Sequence, residues 1–267
     1  MPTSLLPQYG TSTGTHLILA NRVLADKEYA QYYKARSQSG DLVIIDNGAF
    51  ELGRSLPGPD LIEAASRVAA KEIVLPDVLR DAFHTVRGVT QFLHDWDNSR
   101  PKWSMGLWQP TFMVVPQGRN AEEWYECLEE LVRLVPRATL GLFEELAEWT
   151  GSRFAFLQDL HARHMCKPKK RPIHLLGMQE GRELIDEIVS VRSAFSCVRS
   201  IDSGKPITYA LHGIEIGPIH QGQSWYYTDH AYLGRDKNHF DLPKSADKYP
   251  RVMAQNIKFV KEMAGDG

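Results

Sequence analysis

Short apolar runs recur along the chain at 16–20, 42–46, 72–75, 111–115, 138–142, 172–176 and 197–201. They are rich in β-branched and large aliphatic residues and too short for helices, so each predicts a buried strand. Between them, apolar residues repeat at three- and four-residue spacing, as in Leu61, Ala64, Ala65 and Val68. That period predicts helices over 26–38, 59–70, 79–95, 120–134, 151–164, 179–192 and 246–264. Pro59 and Asp60 mark one helix start, and Asn120 is placed to cap another. Strand then helix, repeated six or seven times, implies parallel strands with right-handed crossovers. The expected fold class is therefore α/β, a TIM-type (β/α)8 barrel. An eighth strand is needed to close it, and both 3–9 and 207–216 are open as its place. Residues 203–245 carry Gly, Pro, His and aromatic residues without a period and read as an irregular elaboration near the mouth. A C-terminal helix over 246–264 follows. With no internal repeat, low-complexity segment or linker, 1–267 is expected to be one barrel domain.

Five of the runs end in a polar or glycine residue: Asp46-Asn47-Gly48, Pro76-Asp77, Pro116-Gln117-Gly118, Gly177 and Asp202-Ser203-Gly204. Singly, each has an ordinary explanation. Asn47-Gly48 favours a turn with positive φ, and Asp202-Ser203-Gly204 suits a loop whose side chains bond its own backbone. In a parallel barrel, however, all strand carboxyl ends open on one mouth. Asp46, Asp77, Gln117 and Asp202 are then expected in one pocket although they are far apart in sequence.

Net charge is −2, so general adhesion to nucleic acid or to a membrane surface is not expected. A polymer substrate would need local positive charge. Arg54, Arg80, Arg119 and Lys205 follow strand ends and are the candidates for phosphate contacts. Lys167-Pro168-Lys169-Lys170-Arg171 precedes a strand, which puts it on the opposite face as a solvated loop. Cys127, Cys166 and Cys197 are odd in number and widely spaced, which reads as free thiols in a reducing compartment. No run approaches the ~20 apolar residues of a membrane span, and no secretion signal is expected at the N-terminus. The expected location is cytoplasmic. Glu144-Glu145 could serve as an acid/base pair, but helix-start carboxylates are the simpler reading. His212, His220, His230 and His239 with Asp229 match no ligand spacing, so no metal is expected. Trp225, Tyr226, Tyr227 and Tyr232 read as packing. There is no P-loop, GxGxxG or GxSxG, and no cofactor is called for.

Taken in order, the strand-end segments resemble those of the guanine transglycosylase superfamily, the tRNA-guanine transglycosylases and their DNA-modifying relatives. Asp46-Asn47-Gly48-Ala49-Phe50 is similar to the family's Asp-Ser-Gly-Gly-Phe, with Asn47 for serine and Ala49 for glycine. Asp77 matches its base-recognising Asp, and Pro116-Gln117-Gly118 its Val-Gln-Gly segment. Leu140-Gly141-Leu142 is a weaker match to Gly-Gly-Leu, and Leu175-Leu176-Gly177 resembles Leu-Met-Gly. Asp202, after Cys197-Val198, aligns with the nucleophile. The resemblance covers about 16–210. The tRNA enzymes carry a zinc site of three cysteines and a histidine after the nucleophile. No cysteine follows Cys197 here, so this short zinc-free form is most similar to the phage-type DNA 7-deazaguanine transglycosylases, which act in a host cytoplasm.

The resemblance implies exchange of guanine in DNA for a 7-deazaguanine derivative through a covalent Asp–glycosyl intermediate. Asp202 would be the nucleophile and Asp46 the general acid/base. Asp77 and Gln117 would bind the purine edge. Gly118, Gly141 and Gly177 would let backbone approach the base, and Phe50 and Leu176 would sandwich it. The partners implied are DNA and a free 7-deazaguanine base, with tRNA as the alternative polymer. Two rivals remain at this level. One is an N- or O-glycoside hydrolase using Asp46, Asp202 and water. The other is a non-catalytic nucleic-acid-binding relative, disfavoured because both carboxylates are present. Oligomeric state is left open.

Overall fold

The computed structural model describes residues 3–103, 108–163, 171–177, 187–189, 191, 193–202, 205–211, 215–216 and 250–264. Seven strands form one sheet: β1 (Thr15–Leu19), β2 (Leu42–Asp46), β3 (Glu72–Val74), β4 (Thr111–Val114), β5 (Thr139–Phe143), β6 (Ile173–Leu176) and β7 (Val198–Ile201). Their spatial order equals their chain order, and every pair is parallel. The expected strands are all present, with ends moved by a residue or so.

The helices are α1 (Leu6–Tyr9), α2 (Ala20–Ala25), α3 (Lys27–Gln38), α4 (Ala49–Leu52), α5 (Gly58–Arg67), α6 (Ala82–Trp103), α7 (Ala121–Leu134), α8 (Ala147–Thr150), α9 (Arg153–Ala162), α10 (Lys205–Leu211) and α11 (Pro250–Ala264). Asn120 caps α7 as expected, its Oδ1 accepting the Glu123 N–H at 3.0 Å. α6 starts three residues later than expected and runs to Trp103. Of the helix expected over 179–192, only 187–189 and 191 are described, and they are helical.

Alternation along the strands makes two apolar layers. Val43, Ile45, Ile73, Leu75, Val114, Leu140 and Ile173 face outward, under Leu61, Ala65, Trp124, Leu128 and Phe156 of the surrounding helices. Ile44, Val74, Met113 and Val115 face inward with Leu17, Leu42, Phe143 and Leu176. The result is a nearly closed parallel barrel. At its amino end, buried Glu72 accepts from Thr139 Oγ1 at 2.5 Å and from Arg199 Nη2 at 2.6 Å. That ties β3, β5 and β7 together beneath the apolar interior.

Three expectations need correction. Residues 3–9 are helical, so they do not supply an eighth strand, and 207–211 lie in α10. Leu5, Leu6 and Tyr9 are buried instead against helices, and Leu5 and Tyr9 join Ala210 and Met253 in a small side cluster. Among the described residues no strand joins β7 to β1, so the barrel they form has seven strands and is nearly closed. Cys197 is disulfide-bonded, against the expectation of free thiols, whereas Cys127 is free and buried. Cys166, the basic run at 167–170, most of the 203–245 elaboration, and its histidines and aromatics lie outside the described residues. No helix among the described residues is long and apolar enough to cross a membrane.

Candidate active site

β2 ends on Asp46, which is half-buried. Burial pushes its carboxyl well above the usual range, and the charges of Glu51, Asp77 and Asp202 push the same way. A hydrogen bond from the Gly48 N–H opposes them. The chain can turn here because Gly48 takes φ 80°, in the left-handed region glycine tolerates. Asn47 pins the turn: its Oδ1 accepts the Ala49 N–H at 2.7 Å, and its Nδ2 donates to Leu75 O and to Asp77 Oδ1, both at 2.7 Å.

Asp77 follows β3 and is 5 % exposed. Burial raises its carboxyl to about 6, against the lowering effect of hydrogen bonds from Asn47 and Gln117. Gln117, after β4, donates from Nε2 to Asp77 Oδ2 at 2.6 Å and accepts the Arg80 N–H on Oε1 at 3.0 Å. Both ends of this amide are thus engaged inside the protein. Gln117 thus holds Asp77 in place, with one amide hydrogen and one oxygen lone pair left over.

Asp202 follows β7, its side chain 28 % exposed. Its Oδ1 accepts the Gly177 N–H at 3.1 Å and lies 3.1 Å from Nε2 of His174. Oδ2 has no partner among the described residues. The Asp202 N–H donates back to Leu175 O at 3.2 Å, fixing the strand end. Gly177, at φ 66°, is held from behind: Arg153 Nη2 donates to its carbonyl at 2.8 Å and Nη1 to Leu176 O at 2.9 Å. Arg153 is fully enclosed, bonded also to Leu142 O and in a two-pronged pair with Glu187. It joins the ends of β5 and β6 behind the site.

The remaining candidates divide. A Cβ on Gly141 would come within 2.9 Å of Val115 Cγ2 and 3.0 Å of Leu176 Cδ1, so glycine keeps the barrel interior open there. A Cβ on Gly118 would lie 2.6 Å from the Trp124 backbone N. Gly118 therefore serves the seating of α7, and a substrate role gains no support from this packing. Leu176 lines the interior, and Phe50 stands 42 % exposed on α4. Arg54 is exposed beyond the end of β2. Arg80 reaches Glu148 at 3.7 Å, and Arg119 is paired with Glu123 at 2.7 Å. Lys205 begins α10, its side chain outside the described set. Glu144 and Glu145 form a 3-10 turn after β5. Sequence reasoning did not single out Glu51, Arg153, His174 or Ser200, and it gave Asn47 a turn but no contact with Asp77. His174 and Leu176 differ by two in one strand and so share its inward face, a signal that alternation could have supplied.

Among the described residues no group of three or more His, Cys, Asp or Glu could hold a metal ion. A groove of about 470 Å³ between α1 and α11, lined in part by Gln8, Lys258 and Lys261, contains none of these carboxylates. No protein-family model matches the chain, and no curated protein matches it.

Proposed function

We propose that this chain exchanges guanine in DNA for a 7-deazaguanine base through a covalent intermediate on Asp202. The fold itself is consistent with a barrel scaffold for glycosyl transfer or hydrolysis, and a scaffold of this kind hosts many chemistries. The observation that carries the finer reading is the pairing of Asp202 with Asp46. One carboxylate sits at the mouth with one oxygen fixed and the other without a partner among the described residues. Its neighbour at the end of β2 is half-buried and biased toward the protonated form.

Those two states suit a double displacement. Asp202 Oδ2 attacks C1′ of the sugar while the C1′–N9 bond breaks, and Asp46 gives its proton to the departing guanine. The incoming base then attacks C1′ and its N9 proton passes to Asp46. The ester bond to Asp202 breaks and stereochemistry is retained. Asp77 has one lone pair left on each oxygen after serving Asn47 and Gln117, enough to accept from N–H groups of a purine edge. Such a base must leave its stack to enter. DNA is preferred over tRNA because no cysteine follows Cys197 to build the zinc site of the tRNA enzymes that the chain resembles.

The test is incubation of the purified chain with guanine-containing DNA or a tRNA transcript and labelled 7-deazaguanine. Label entering DNA is the expected result. Label in tRNA alone overturns the choice of polymer. Release of guanine without uptake of label overturns exchange and identifies a hydrolase.

A further inference from the structure

His174 occupies the inward face of β6 and is fully buried. Its Nε2 lies 3.1 Å from Asp202 Oδ1, and its Nδ1 lies 2.7 Å from Ser200 Oγ. An ionised carboxylate only accepts, so Nε2 must carry a proton when it meets charged Asp202. In a neutral ring Nδ1 is then an acceptor, and the Ser200 hydroxyl is the donor that fills it. Asp202 thereby selects the tautomer, and the Ser200 hydroxyl, which can donate, complements it.

Serine, histidine and aspartate in sequence are also the constellation of a serine nucleophile. Here the order relative to the mouth is reversed. Asp202 is at the open end, and Ser200 is two residues further down β7, about 7 Å at strand rise. The hydroxyl is at the inner end of the relay and the carboxylate is the group offered to a substrate.

We propose that His174 is the positioning residue of Asp202, with Ser200 supporting the Nε2–H tautomer by donating to Nδ1. This rests on the reading of Asp202 as nucleophile. Two donors, His174 Nε2–H and Gly177 N–H, converge on Oδ1. They lock the carboxylate rotamer and leave Oδ2 as the attacking oxygen. When the glycosyl ester forms at Oδ2, Oδ1 becomes its carbonyl oxygen and keeps both hydrogen bonds. The histidine neither gains nor loses a proton in that step.

The test compares His174→Gln, His174→Leu and Ser200→Ala in exchange kinetics, and reads the His174 ring by 15N NMR. Glutamine can return an N–H near Nε2, and leucine cannot. His174→Leu should lower kcat about 10²-fold with KM for DNA within about threefold, and His174→Gln should stay within about tenfold of wild type. The wild-type ring should show the neutral Nε2–H tautomer, and Ser200→Ala should erode that preference. Equal losses in the leucine and glutamine variants, tracking lower stability in denaturant, would reduce His174 to a packing residue and overturn the proposal. So would an Nδ1–H tautomer in the wild type. If the wild type exchanges no base at all, the reaction proposed above fails, while the NMR spectra still decide whether the relay exists.

Discussion

Replacing Asp77 by Asn should change how stability depends on pH, by an amount the structure sets. In the folded protein its carboxyl titrates at about 6, against an ordinary 3.8. The cause is burial, so ionisation costs the folded state. Stability is therefore highest below the ordinary value, falls as pH rises through the interval up to about 6, and is flat above. The gap of about 2 between the two values corresponds to about 3 kcal/mol in full. About 2 kcal/mol of that falls between about pH 4.5 and about pH 7.5. Asp77→Asn also carries a cost that does not vary with pH. Asn47 cannot flip, because its Oδ1 holds Ala49 N–H and its Nδ2 donates to Leu75 O. Gln117 cannot flip, because its Oε1 holds Arg80 N–H. One amide donor of the new Asn must therefore face a donor, a loss of about 1–3 kcal/mol. That loss cancels when each protein is compared with itself at two pH values. Losing the Asp77 charge also relieves Asp46, which adds in the same direction. Denaturant unfolding of both proteins at both pH values is the assay. The variant should lose about 2 kcal/mol less than wild type on going from the acid to the neutral condition. Parallel pH dependences would show that Asp77 is not held in a proton-favouring site.

Three further outcomes are expected. Asp202→Asn should fold normally, form no covalent adduct with DNA and show no exchange, since an amide cannot make the glycosyl ester; near wild-type turnover in gel and label assays would remove Asp202 from the reaction. Asp46→Ala should lower kcat about 10²-fold or more, and in wild type the single-turnover release of guanine should slow as pH rises through the raised Asp46 pKa; a change in KM alone would make Asp46 a binding group. Arg153→Met strands buried Glu187 and should cost about 3–5 kcal/mol in denaturant melts; a variant as stable as wild type would mean that the ends of β5 and β6 do not depend on this pair.

The strands were legible because their apolar runs are short, β-branched-rich and bounded by Gly, Pro or Asp, as in Leu42–Asp46 followed by Asn47-Gly48. The rule that parallel strands open on one mouth then located Asp46, Asp77, Gln117 and Asp202 without any contact being known. What the rule could not give was the use of each group. Gln117 and Asp77 bond each other, and a local sequence cannot show that residues forty apart share a proton. Arg153 was invisible for a related reason. It is the first residue of α9 and reads as an exposed helix-start charge, but its guanidinium turns inward to the carbonyls of β5 and β6. Residues 3–9 failed as a strand because the short apolar stretch Leu5-Leu6 is followed by Pro7, which suits the first turn of a helix.

The orientation of Asp202 depends on one irregularity that no alternation pattern predicts. Ile173 and Val198 pair with both side chains outward against the helix layer. If the register continued, His174 would pair with Arg199, and Asp202 would point outward with Val198 and Ser200. Instead the register shifts at Ile173/His174, and His174 pairs with Ser200. Arg199 is the extra residue of a bulge, and a bulge resets which face the following side chains take. Arg199 can therefore reach inward to Glu72, while Ser200, next in the chain, also turns inward to His174. Ile201 returns to the outer layer, and Asp202 comes back to the mouth. The Glu72–Arg199 pair at the amino end of the barrel thus bears on the carboxylate at the other end. It occupies the extra residue whose accommodation turns Asp202 toward the site.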